Sequence, residues 1–201
     1  MIYHHDHPSR SDWFQAQRIM IQPRVRLFCL PYAGGSAAIY QNWHNLLPND
    51  IEVIAVQLPG RASRLLDTAY RRLDELVEAL YEAIKDHLHH PYAFFGHSMG
   101  GRLSYELCCK LRENNHPLPS WLFISACGAP QMPRDKDPVH HLPEDEFLEE
   151  IRDLNGTPEE ILQNEDLMNL VIPTLRADFE LCETWEYKVR PPVNVPMAIF
   201  G

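Results

Sequence analysis

Between Tyr92 and Glu113 a short apolar run, Tyr92-Ala93-Phe94-Phe95, passes into a helical repeat through one turn, Gly96-His97-Ser98-Met99-Gly100-Gly101. Aromatic residues in a run of this length form a strand, whereas Leu103, Leu107 and Leu111 recur at the spacing of one helix face. A strand that enters a helix with almost no linker implies a right-handed crossover, and such crossovers build parallel sheets. The alternation holds over much of the chain. Val25–Leu30, Ile51–Val56, Trp121–Ala126 and Val195–Phe200 are further strand-like runs bounded by Pro, Gly or charge. Leu73, Leu76, Val77, Leu80, Ile84 and Leu88 mark an amphipathic helix that opens with acidic residues. The predicted class is α/β, a mostly parallel sheet with helices on both faces.

Composition narrows the setting. With 201 residues, 45% hydrophobic and 23% charged, the chain suits one domain with a sizeable core. No apolar run approaches the roughly 20 residues needed to cross a bilayer, and the first 22 residues are too polar for a secretory signal. The net charge of −10 opposes attraction to nucleic acid or anionic lipid, so neither is an expected partner. Five cysteines with no C-x-x-C pair suggest neither a disulfide framework nor a zinc cluster. A cytoplasmic, monomeric protein with no metal and no cofactor is expected. Residues 1–23 read as an N-terminal tail closed by Pro23, whose His4, His5 and His7 belong to a mobile terminus rather than a metal site.

The order changes after residue 130. A Pro-rich connection (Pro130, Pro133, Pro138, Pro143) leads into a segment with helical but no strand-like pattern, about residues 133–190. Phe147, Leu148, Ile151 and Leu154 form one apolar face, Thr157-Pro158-Glu159-Glu160 reads as a capped helix start, and Pro173 divides the last stretch. Asp135 to Glu186 also carries 16 acidic residues and three basic ones. We expect a helical insertion that acts as a lid over the carboxyl edge of the sheet, where open α/β sheets place their ligands.

The turn at Ser98 is the reactive group expected at that edge. G-x-S-x-G between a strand and a helix is a nucleophile elbow, in which small residues two before and two after the serine let strand and helix approach. The helix N-terminus below supplies unpaired N–H groups and a positive field. The Met99 N–H is then one donor of an oxyanion hole. The second is expected from the glycine-bearing loop Pro31-Tyr32-Ala33-Gly34-Gly35-Ser36, at Ala33 or Tyr32. His97 is expected to be packed or hydrogen-bonded beneath the turn rather than to serve as a base, because neighbouring positions across such a turn point apart.

The stretches LFCLPYAGGSAAIYQNWHNLLP, VIAVQLPGRASRL, PYAFFGHSMGGRLSYELC, LNGTPEEIL and LVIPTLRADFELCETWEY resemble the type II, or editing, thioesterases of nonribosomal peptide and polyketide synthase systems. The resemblance covers residues 25–201. Gln57-Leu58-Pro59-Gly60-Arg61 and Pro173-Thr174-Leu175-Arg176-Ala177-Asp178 are its specific motifs. It implies an α/β-hydrolase fold over residues 24–201 and hydrolysis of acyl thioesters from the phosphopantetheine arm of acyl or peptidyl carrier proteins, clearing stalled groups in antibiotic biosynthesis. It also implies that Ser98 is the nucleophile.

The family's acid follows the strand that resembles Val195–Gly201, and its histidine comes later still. Neither position is among the 201 residues, so the fold is expected to be truncated at its C-terminal part and the chain nearly inactive as it stands. His116, His140 and His141 remain after Ser98, and Asp178 could in principle hold one of them, but the matched position in the family is not the catalytic acid, so a substitute triad is not expected. Arg61, Arg64, Arg71, Arg72 and Arg102 are candidates for a surface that docks an acidic carrier. A general esterase or lipase of the same fold, and a non-catalytic carrier-binding module, are the alternative readings.

Overall fold

The computed structural model describes residues 7–132, 136–153 and 164–201. His4, His5, Pro133, Leu154 and the Thr157–Glu160 cap lie outside them. The elements in chain order are β1 (Phe14–Gln15), β2 (Val25–Leu30), β3 (Ile51–Val56), α1 (Leu73–Ile84), β4 (Tyr92–His97), α2 (Met99–Glu113), β5 (Trp121–Ser125), α3 (Glu144–Asp153), α4 (Glu165–Glu183) and β6 (Met197–Phe200). One six-stranded sheet has the order β1-β3-β2-β4-β5-β6. Among the described residues, only β1 runs antiparallel to its neighbour.

Strand periodicity sorts the apolar residues onto two faces. Phe28, Ile54, Phe94 and Leu122 point into the main core with α1 and α2, where Leu76, Leu80, Leu103 and Leu107 meet them. Leu27, Cys29, Val53, Ala55 and Ala93 point the other way, under 3-10 turns at Ala37–Tyr40 and Trp43–Asn45. Because both faces are covered, the central strands are continuously apolar rather than alternating. Phe28 and Phe94 meet edge-on at 6.1 Å at the centre of the core.

Two polar residues break this apolar rule, and they explain why residues 7–23 are not a free tail. Arg26 and Glu52 are register partners on β2 and β3, and both are buried. Glu52 Oε2 accepts from Arg26 Nε at 2.7 Å, and Oε1 lies 2.8 Å from His7 Nε2 and accepts the Met20 N–H at 2.6 Å. A buried carboxylate needs such partners. The N-terminal segment supplies two of them, and its Phe14 pairs with Val56 and buries its ring against Phe28. Burial of Glu52 alone raises its pKa, but the bonds from His7, Met20 and Arg26 outweigh it and hold the carboxyl below its ordinary 4.5.

The segment between β5 and β6 contains α3 and α4 and, among the described residues, no strand. Phe147 and Ile151 of α3 pack with Met168, Ile172 and Leu175 of α4. Pro173 does not divide α4, which runs unbroken from Glu165 to Glu183. An interior proline costs about 3 kcal/mol of helix stability. Anchors on either side hold the helix together: Met168 and Ile172 before it, and Thr174, Asp178 and Leu181 after it.

Candidate active site

Ser98 sits at φ 51°, ψ −112°, between the last residue of β4 and the first of α2. A serine gains nothing locally from this left-handed conformation; the surrounding packing imposes it. The flanking glycines show how tight the packing is. A Cβ on Gly96 would lie 2.2 Å from the Gly100 carbonyl oxygen, and one on Gly100 would lie 2.1 Å from the Leu30 carbonyl oxygen. The G-x-S-x-G spacing is therefore a three-way approach of β4, α2 and the end of β2.

The turn is held from the side as well. The Ser98 N–H donates to the Ser125 carbonyl at 2.8 Å, extending the β4 and β5 ladder by one bond. His97 Nδ1 lies 3.0 Å from Ser125 Oγ, and the Tyr32 ring meets the His97 ring edge-on at 5.7 Å. His97 thus braces the turn against β5 and the loop after β2.

Ser98 and Met99 line a cleft of about 620 Å³, together with Arg102, Cys127, Trp185 and Tyr187. The Arg102 guanidinium lies 4.4 Å over the Trp185 ring, which supports that wall by a cation–π contact. Cys127 and Cys182 are half-buried in this wall, whereas burial raises the thiol pKa values of Cys29, Cys108 and Cys109 elsewhere.

Ala33 does not line the cleft; it is half-buried in the loop whose root touches Gly100. Within that loop the Gly35 N–H turns back to the Tyr32 carbonyl at 2.9 Å, and the Gly34 N–H donates to Asp178 Oδ2 at 2.7 Å. Among the described residues, the N–H groups of Tyr32, Ala33 and Met99 have no acceptor.

The two specific motifs interlock around this loop. Arg61 donates through Nη1 to Asp178 Oδ2 at 2.6 Å and through Nη2 to Oδ1 at 2.8 Å, a bidentate pair with both side chains buried. Arg61 Nη1 also reaches the Gly35 carbonyl at 3.2 Å. Gln57 Nε2 donates to the Leu58 and Arg61 carbonyls, its Oε1 accepts the Ala37 N–H, and Thr174 Oγ1 donates to the Gly60 carbonyl.

This geometry corrects one expectation and answers the question of a substitute triad. Arg61 is only 7% exposed and is not part of any docking surface. Asp178 accepts from Arg61 and Gly34 and, among the described residues, holds no histidine. The histidines after Ser98 have other partners: His116 Nε2 lies 3.1 Å from Tyr81 Oη, His140 Nδ1 lies 2.5 Å from Glu183 Oε2, and His141 packs edge-on against His140. Arg71 and Arg72 remain exposed, in ion pairs with Glu180 and Asp74. Among the described residues no cluster of His, Cys, Asp or Glu has the spacing to hold a metal, and no helix is long and apolar enough to cross a membrane.

Residues 25–199 match the thioesterase domain family. The chain is 41% identical over 191 residues to the gramicidin S biosynthesis protein GrsT of Aneurinibacillus migulanus, covering 95% of this chain and 75% of that protein. Among solved structures it is similar to the type II thioesterase BorB from the borrelidin biosynthetic cluster, with 34% identity and a TM-score of 0.83 over 93% of this chain and 76% of that one. It is also similar to the thioesterase RedJ from the prodiginine pathway of Streptomyces coelicolor, with 38% identity and a TM-score of 0.82 over 88% and 66% of the two chains.

Proposed function

Because the chain belongs to the thioesterase family, we propose that it uses Ser98 to hydrolyse acyl thioesters carried on the phosphopantetheine arm of acyl or peptidyl carrier proteins. The observation that carries this reading is the strained Ser98 turn opening on a cleft beside an uncommitted helix N-terminus. Ser98 Oγ adds to the thioester carbonyl, the carbonyl electron pair moves onto oxygen, and the Met99 and Ala33 N–H groups receive that charge. Collapse of the adduct breaks the C–S bond, and the proton that a base took from the Ser98 hydroxyl goes to the departing pantetheine sulfur. Water then adds to the acyl-serine, releases the carboxylic acid and restores the hydroxyl. A thiolate leaves readily, so the chemistry needs little leaving-group assistance.

The serine needs a base. The resemblance places the acid just after the strand that corresponds to β6 and the histidine further on. Removing the histidine of such a triad costs roughly a millionfold in turnover. The α3 and α4 segment acts as the lid of the cleft. No cofactor beyond the substrate's own pantetheine is required, and the enzyme works as a monomer in the cytoplasm beside its synthase.

The test is release of a labelled acyl group from a carrier protein by the chain extended through the acid and histidine, compared with its Ser98→Ala variant. Loss of release in the variant is the expected result, and equal release would overturn the reading. A preference for simple nitrophenyl esters over carrier thioesters would point to a general esterase or lipase. Carrier binding without release, and without labelling of Ser98 by a fluorophosphonate, would point to a non-catalytic carrier-binding module.

A further inference from the structure

We propose that Asp178 and Arg61 are positioning residues that set the orientation of the oxyanion loop, so that helix α4 controls the competence of the Ser98 site without touching the reacting atoms. The inference rests on the serine thioesterase reading above. Three contacts converge on two residues of the loop. Asp178 accepts the Gly34 N–H, Arg61 donates to the Gly35 carbonyl, and the Leu175 side chain stands where a Cβ on Gly34 would be, 2.4 Å away.

Gly34 is at φ 77°, a conformation that leaves its peptide free to rotate unless something outside the loop holds it. The carboxylate holds it. With the Gly34 N–H turned to α4 and the Gly35 N–H turned back to Tyr32, the amides left for a substrate oxyanion are those of Tyr32 and Ala33. The Ala33 N–H belongs to the peptide next to the clamped one, so its direction follows from the clamp. Arg61 keeps the carboxylate in place from the far side by a fork that neither rotates nor slips.

A pair that only held α4 in place would behave differently, and kinetics of the chain extended through the acid and histidine separate the two roles. Asp178→Asn keeps the side-chain shape but cannot accept from Gly34 and both Arg61 nitrogens at once. Removing one oxyanion donor outright costs about a hundred- to a thousandfold in kcat. We therefore expect kcat for an acyl-pantetheine thioester to fall roughly tenfold to a hundredfold, with KM changed by less than about threefold, because the displaced amide acts only on the charge that develops. Arg61→Lys should show the same split to a smaller degree.

Gly34→Ala should lower kcat in the same way although it leaves the ion pair untouched, since a side chain is strained at φ 77° and its methyl would push on the end of Leu175. The double variant Arg61→Gln, Asp178→Asn should lose no more than the worse single variant. In an isotope-labelled sample the Gly34 amide should exchange slowly, and Asp178→Asn should remove that protection while the amides of β2 and β4 keep theirs; loss of protection at all of them would mark unfolding instead. Unchanged kcat in folded Asp178→Asn, or a loss that appears in KM alone, would overturn the proposal. Equal turnover by wild type and Ser98→Ala would instead overturn the serine reading on which it stands.

Discussion

Two buried carboxylates occupy opposite ends of the same strands. Glu52 lies at the amino end of β3, and Asp178 reaches the loops beyond the carboxyl ends of β2 and β3. Each accepts from an arginine and from a backbone N–H, and Glu52 also bonds to His7. The difference lies in what the partners belong to. Glu52 gathers the N-terminal segment and the second residues of two strands, so it secures the fold. Asp178 gathers a glycine loop and an arginine beside the cleft, so it secures a shape that the fold alone leaves open. Open α/β sheets bind ligands at their carboxyl edge, and the same saturated carboxylate does structural work at one edge and preparatory work at the other. Neither pair need add much net stability when intact, but removing one partner of such a pair costs about 3–5 kcal/mol.

Substitutions test that division of labour, and Ser98→Ala gives the largest expected effect. In the chain extended through the acid and histidine it should remove turnover by roughly a millionfold and leave the denaturant midpoint unchanged, marking what loss of chemistry alone looks like in acyl release and urea unfolding. Asp178→Asn falls next on the activity axis, as set out above. Glu52→Ala should lie on the other axis, lowering unfolding free energy by about 3–5 kcal/mol while kcat of the folded fraction stays at the wild-type value. A matching fall in kcat would show that the two ends are not independent.

Acid sharpens the same contrast. The Glu52 carboxyl is held below its ordinary 4.5 in the folded chain, so its contribution is fully present above that value and is lost as pH falls through the lower folded one. Urea midpoints measured between pH 7 and pH 3 should drop less steeply for Glu52→Gln than for wild type; parallel curves would refute the assignment. The smallest effect on stability belongs to Arg71→Glu with Arg72→Glu, whose ion pairs are exposed. Unfolding should hardly change, while KM for an acidic carrier substrate rises and KM for a small acyl thioester does not.

What the sequence disclosed and what it hid follow from range. The strand and helix alternation and the glycines around Ser98 are local patterns, and β2 to β5 and the turn lie where those patterns put them. Arg61 and Asp178 are 117 positions apart, and no local rule tells a motif arginine that faces a carrier from one that faces a carboxylate. The packing of residues 7–23 was hidden in the same way, although one clue was present. Arg26 and Glu52 are the second residues of two otherwise apolar runs, and opposite charges at matching places in neighbouring buried strands call for each other and for further donors. Pro173 misled because propensity describes an isolated helix, whereas α4 is pinned on both sides of it.

The attachment of α4 has a consequence for traffic through the site. Thr174 holds Gly60, Asp178 holds Gly34, and Leu181 is embedded in the main core, so α4 is fixed to the body of the protein and brings Cys182 and Glu183 to the cleft as a fixed wall. A substrate that reaches Ser98 passes between that wall and Ala126–Met132, with Trp185 held on its own side by Arg102.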